Sequence, residues 1–419
     1  MNARMMTRRA GAVAAVCVAV IGASIVGAVA AVATGAALYV GPHGSSSSDS
    51  SCRAPGYSSI NAAIAAAARG ATVIVCPGVY AEDVLVNKRL HLVGRHAVID
   101  ASGLENAIQI VRSRVTVNGF TVQRANGEGI LVGVDSAQDA KLLPKSIVIS
   151  HVVISNVVAA GNDKGFNGTE NGNCKYPGDC GGGIHLNVTG DSIVRNSQVR
   201  GNADGILLTD DYGPSFGNVV EDNVVTDNTT ECGIVLAGHN SNAVSYDPNT
   251  YKVTGRHPHK GGLYDNVVMN NISRRNGTAK APPQFGGGGS GSGIGLFGSG
   301  PGTGVYDNVV RDNVAVGNGL AGFTIHAHLP GGEDVNGNQV MGNRFGTNNL
   351  GGDGYDGPPG PTDFQTTGIA VYSAPTVQMT IGDNDIQRDA IGIWLSKTVN
   401  AKGLSTNHFH GVQNHVVRG

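Results

Sequence analysis

The sequence predicts an all-β solenoid in which short strands wind into coils that stack in parallel. Two repeats carry that prediction: a glycine-apolar-x-apolar step that occurs eight times, and an Asn recurring every five residues between the copies. The steps begin at Gly129, Gly183, Gly205, Gly233, Gly293, Gly322, Gly368 and Gly392. Ile130, Ile184, Ile206, Ile234, Ile294, Phe323, Ile369 and Ile393 follow each glycine. Two residues further on stand Val132, Leu186, Leu208, Leu236, Leu296, Ile325, Val371 and Leu395. Side chains alternate across a strand, so each pair shares the buried face. Self-similarity at this period means that each coil buries its apolar face on the next.

The elements follow in order. Residues 1–36 read as a signal peptide or a membrane anchor: Arg4, Arg8 and Arg9 precede an uncharged apolar run with Ala-x-Ala sites at Ala28–Ala30 and Ala31–Ala33. That run is also long enough to span a bilayer, so both outcomes stay open. Residues 37–51 read as a Ser-rich linker. Residues 52–70 form an N-terminal cap, with a short helix from Ser58 to Arg69 that starts on a Ser cap and stops at Gly70. Residues 71–419 are the solenoid, opening with close-spaced strands at Thr72–Val75, Pro77–Tyr80, Asp83–Val86, Leu90–Val93 and Ala97–Ile99.

Within the solenoid, the Asn residues fall at Asn218/Asn223/Asn228, Asn266/Asn271/Asn276, Asn308/Asn313/Asn318 and Asn338/Asn343/Asn348. They are expected at strand corners, in the left-handed region and stacked as amide ladders. Insertions follow the glycine strand at Val134–Lys145, Gly238–Gly262 and Leu329–Val335. Others precede it at Gly161–Gly182, Gly277–Ser292 and Gly346–Thr367. Loops from the same corner of stacked coils stand side by side, so the two rows wall a groove.

The chain holds 64 glycines among 419 residues and carries a net charge of −2. That balance offers no basic stripe for nucleic acid. Export permits disulfides. Cys174 with Cys180, and Cys52 with Cys76, are expected to pair, and Cys232 is left as a core thiol.

The opening run, Ser59-Ile60 to Gly70 followed by TVIVCPGVYAEDVLV and LHLVGRHAVIDASG, resembles the first coils of right-handed parallel β-helix proteins of the pectate-lyase-like superfamily. That resemblance covers Ser58 to about Val416 and implies a right-handed parallel β-helix. Its members include lyases, hydrolases, epimerases and binding proteins, so the fold does not choose among them.

Chemistry must lie in the outward columns. Two after each glycine stand Leu131, His185, Leu207, Val235, Gly295, Thr324, Ala370 and Trp394. Four after stand Gly133, Asn187, Thr209, Ala237, Phe297, His326, Tyr372 and Ser396. Six after stand Asp135, Thr189, Asp211, His239, Ser299, His328, Ala374 and Thr398. Rungs lie ~4.8 Å apart, which puts Asp211 one rung from His239 and from His185, and roughly 14 Å from His326 and His328. Adjacent carboxyls do not both ionise easily, which suits an acid beside a base. Asp210 and Asp211 are therefore the expected acid/base pair, assisted by His239 and His185. Asn187, Phe297, His326, His328, Tyr372 and Trp394 are the expected substrate contacts. The competing reading makes Asp210-Asp211 a turn whose carboxylates cap backbone N–H groups. His257 and His259, inside an insertion, are expected to be solvated.

No cofactor is expected, with calcium at Asp163, Glu170 and Asp179 as a side reading. The functional expectation is an exported polysaccharide-active enzyme that hydrolyses glycosidic bonds. One alternative is a β-eliminating lyase or uronate epimerase using His326, His328 and Tyr372. Another is a non-enzymatic carbohydrate-binding or maturation protein of the cell surface. A monomer is expected, secreted or held at the surface by its N-terminal segment.

Overall fold

The glycine strands stack into one parallel sheet that runs from Val84–Val86 to Asn414–Arg418. The computed structural model describes residues 37–45, 47–135, 139–143, 148–163, 181–280, 288–352 and 365–419. Residues 1–36, read as a signal peptide or anchor, Cys174 with Cys180, and two of the three calcium candidates, Glu170 and Asp179, lie outside them. Among the described residues no helix is long and apolar enough to cross a membrane.

The register is the one the repeat implies. Ile184 faces Ile130 and Ile206, and the column continues through Ile234, Ile294, Phe323, Ile369 and Ile393. These residues are fully buried and belong to one continuous core. The repeated glycine has a steric cause. A Cβ at Gly205 would come within 2.0 Å of the Gly233 carbonyl oxygen and 2.5 Å of the Val225 side chain. The other strands of each coil, such as Val219–Glu221 and Val224–Thr226, pair in parallel with the same strands of neighbouring coils. The result is a right-handed parallel β-helix.

The Asn corners form three side-chain ladders. One runs from Asn162 through Asn202, Asn228, Asn276 and Asn318 to Asn348, with each Nδ2 donating to the next Oδ1 at 2.8–3.2 Å. The second joins Asn218, Asn266, Asn308 and Asn338. The third joins Asn223, Asn271, Asn313, Asn343, Asn384 and Asn407. The left-handed residue is not the ladder Asn but the one before it: Asp222, Asp227, Asp265, Asp307 and Asp312 have φ of 55–59°. Turning at that residue sends the following amide inward, where it satisfies backbone groups that water cannot reach.

The cap helix is shorter than expected, Ile60–Ala66, with Ser59 as its N-cap. Glu82 accepts from the backbone N–H groups of Ile60 and Asn61 at 2.8 and 3.1 Å, while Lys88 Nζ donates to the carbonyls of Ala65 and Ala67. The solenoid also begins earlier than the sequence suggests. Leu38–Val40, inside the stretch read as linker, pairs in parallel with Val73–Val75. Asp49 Oδ1 ties this stretch down by accepting from the N–H groups of Tyr39 and Gly56. Cys52 and Cys76 are bonded, with Cα atoms 5.5 Å apart. That closure is worth roughly 3 kcal/mol against the unfolded chain.

Candidate active site

A cleft of about 300 Å³ opens on the outward face of the glycine sheet, over its third to sixth strands. Glu128, Asp135, Asp163, His185, Thr209, Asp211, Tyr212 and His239 line it. Its floor is one hydrogen-bonded chain across four rungs. His185 Nδ1 lies 2.8 Å from Glu128 Oε1, and His185 Nε2 lies 2.9 Å from Thr209 Oγ1. The Thr209 hydroxyl donates to Asp211 Oδ2 at 2.6 Å, and Asp211 Oδ1 lies 2.7 Å from His239 Nδ1. Asn187 Nδ2 donates to Asp211 Oδ2 at 2.9 Å.

Proton bookkeeping fixes the charge of this chain. Thr209 has a single hydroxyl proton, and Asp211 takes it. His185 Nε2 must then carry a proton to donate to Thr209, while Nδ1 carries another for Glu128. The raised pKa of His185 favours its imidazolium form in this arrangement. Burial alone would disfavour that charge, but Glu128, through its charge and its hydrogen bond, and then Asp211 and Asp135 together outweigh it and raise the His185 pKa. Burial likewise acts to raise Asp211, but the His239 and Thr209 hydrogen bonds and the nearby histidines hold its carboxyl well below the usual range. Asp135 is pushed the other way, by burial first and then by Glu128.

Asp210 and Asp211 part company. Asp210 has no exposed surface, and its carboxylate accepts from three backbone N–H groups: His239 at 2.7 Å, Asn240 at 3.1 Å and Gly262 at 2.5 Å. It holds both ends of the 238–262 insertion, as the turn-capping reading describes. Asp211 remains in the cleft.

The remaining expected contacts form a second group two to five rungs from Asp211. The Phe297 ring meets His326 edge-on at 4.9 Å, and His326 lies 6.2 and 6.3 Å from the rings of His328 and Tyr372. His326 is buried, and Phe297 packs against the apolar patch of Leu207, Cys232, Val235 and Ala237. Trp394 is buried with Tyr372 and Ile391, and Val417 of the last strand packs on them. The structure thus brings Asp211, His239, His185 and Asn187 together and leaves the aromatic and histidine group apart from them. The Cys232 thiol is buried, with its sulfur accepting from Ser292 N–H at 3.2 Å.

Glu128 was not among the expected site residues. It precedes Gly129, and strict alternation from the glycine strand places it on the inner face. Alternation fails at the glycine: the residue before it reaches the outward residue of the next rung. Ser292 meets Thr324 at 2.6 Å in this way, and Cys232 Sγ would lie 3.3 Å from a Cβ at Gly295. The column Glu128, Asp204, Cys232, Ser292 was the available signal.

These stacked parallel coils, with their outward-facing polar cleft, make the chain a right-handed parallel β-helix protein. Residues 111–284, which include the whole floor of the cleft, match a family model described as Periplasmic copper-binding protein (NosD). No curated protein matches the chain in sequence. Similar solved structures include a pectate lyase at 16% identity and TM-score 0.47, over 88% of this chain and 79% of that one. The A-module of a mannuronan C-5 epimerase from Azotobacter vinelandii gives 16% and 0.45, over 85% and 90%. An alginate lyase from a Paenibacillus species gives 13% and 0.46, over 86% and 95%. As to the metal in the family description, among the described residues no three His, Cys, Asp or Glu side chains stand close enough to share an ion. The described cleft side chains therefore do not fit a copper centre.

Proposed function

We propose that the protein is an exported polysaccharide hydrolase whose reaction centre is the Asp211 cleft. The observation that carries this reading is the charged chain Glu128–His185–Thr209–Asp211–His239, anchored on four rigid strands. Preorganised charge of this kind stabilises a charged transition state without reorganisation. Two carboxyls on one cleft with pKa values pushed apart divide between the acid side and the base side of the reaction. Asp135, raised, is the acid that protonates the leaving glycosidic oxygen. His239 accepts the proton of the attacking water, and Asp211, held ionised beside it, stabilises the charge that this places on the ring. The water oxygen bonds to the anomeric carbon as the glycosidic C–O bond breaks. The Cys52–Cys76 bond is consistent with export to an oxidising compartment; secretion or retention at the cell surface is part of the proposal.

The test is a polysaccharide screen that follows reducing ends and the ultraviolet absorbance of unsaturated sugars together. New reducing ends without absorbance, lost in Asp211→Asn, support hydrolysis. Both signals together would replace it with β-elimination.

A further inference from the structure

A second concavity, of about 440 Å³, adjoins the cleft, and Tyr212 lines both. The two differ in charge. Among the described residues Glu128, Asp135, Asp163 and Asp211 give the cleft four carboxyls against two histidines, His185 and His239, an acidic excess. The neighbouring pocket is formed by Val148, Pro214, Asn242, His259 and Lys260 beside Tyr212, and none of its described lining residues is acidic. Lys260 is held at its place in the chain. Its N–H donates to the His257 carbonyl at 2.8 Å, and its own carbonyl accepts from Asn240 Nδ2 at 2.9 Å. Asp210 pins the same loop through Gly262, two residues on. The buried carboxylate thus fixes the backbone from which the exposed Lys260 side chain projects.

A sugar carboxylate entering the cleft would face the ionised Asp211 and be repelled, whereas the same group beside Lys260 would be attracted. A sugar bearing only hydroxyl and amide groups meets no such penalty in the cleft. We propose that the two concavities are neighbouring subsites of opposite charge preference, the cleft taking an uncharged sugar and the pocket a uronate. The substrate is then an acidic heteropolysaccharide in which uronate alternates with an uncharged residue, rather than an all-uronate chain. This rests on the hydrolase reading for its orientation, with the scissile bond at the uncharged residue.

The test is affinity electrophoresis of the full chain in gels containing hyaluronan, an alternating polymer, polygalacturonate or neutral dextran. Hyaluronan is expected to retard the protein most. Lys260→Glu should weaken that retention at least about fivefold, the scale of one exposed ion pair, and added salt should weaken it too. Equal or stronger retention by polygalacturonate overturns the proposal, as does an unchanged Lys260→Glu variant or no retention by hyaluronan. Turnover separates this inference from the hydrolase reading. Retention of hyaluronan that depends on Lys260, without hydrolysis of the retained polymer, removes the hydrolase and leaves the charge split. Hydrolysis of polygalacturonate that needs Asp211 and ignores Lys260 does the reverse.

Discussion

The Asn corners and the outward face of the glycine sheet belong to the same coils and follow opposite rules. At the corners every rung repeats one bond, so Asn223, Asn271 and Asn313 have interchangeable surroundings. On the outward face no two successive rungs agree: His185, Leu207, Val235, Gly295 and Thr324 follow one another in a single column. Repetition supplies stiffness and variation supplies chemistry. The cleft is where a varied stretch is held between repetitive ones.

Damage to the shared core should be the most severe. Ile206 is fully buried, and Ile206→Asp is expected to abolish cooperative folding by burying an unpaired charge. A thermal melt matching the parent would break the register. Next is the ladder: Asn271→Ala removes the acceptor for both the N–H and Nδ2 of Asn223, and the donor to Val220. About 3 kcal/mol or more should disappear in urea unfolding, since several buried groups lose partners at once. The outward face should behave differently. Asp211→Asn is expected to lower turnover about 100-fold or more while costing less stability than Asn271→Ala. Loss of stability on the ladder scale, with turnover intact, would erase the distinction between the two faces.

Asp210→Ala should have a smaller, local effect, releasing the 238–262 loop to proteolysis while the solenoid melts nearly as before. The mildest effect is one of pH. Burial pushes Asp389 and Glu333 up to about 7. The fold therefore holds protons that the unfolded chain has already lost between the usual carboxylate range and pH 7. Stability should fall as pH rises through that window and level off above it. Asp211 acts oppositely: its contribution is intact above the usual carboxylate range and is lost only as pH falls through its depressed pKa. Asp389→Asn should flatten the slope seen in urea midpoints between pH 5 and 8 and stabilise the protein above pH 7.

Much of this was legible in the sequence because it repeats. The Gly-Ile step fixes the sheet register, and the five-residue Asn spacing marks the ladders. Asp211 beside His239 and His185 followed from counting rungs. Legibility stopped where the repeat does. Nothing in the pair Asp210-Asp211 says which carboxylate turns toward the backbone of the 238–262 loop, since the loop contacts that decide it are non-periodic. Trp394 read as an outward platform because alternation does not reveal that Val417 of the final strand packs over its group. Leu38–Val40 escaped notice because it closes a continuous apolar run with no alternation to mark a strand.

The ladders also give the barrel an electrical polarity. In all three, each amide-to-amide bond is donated by the earlier coil to the later one, while the same Nδ2 also donates back to a backbone carbonyl of the coil before, so the rungs share one direction along the axis. Backbone amides aligned in a helix sum to a field at its ends, and oriented side-chain amides act by the same physics. Here the positive ends face the C-terminal coils. The first ladder finishes there beside a carboxyl, Asp389, whose Oδ1 accepts from the backbone N–H of Asn348 at 3.0 Å. The run of neutral asparagines thereby ends on a group that burial keeps protonated up to about pH 7, so the end of the ladder titrates although its rungs do not.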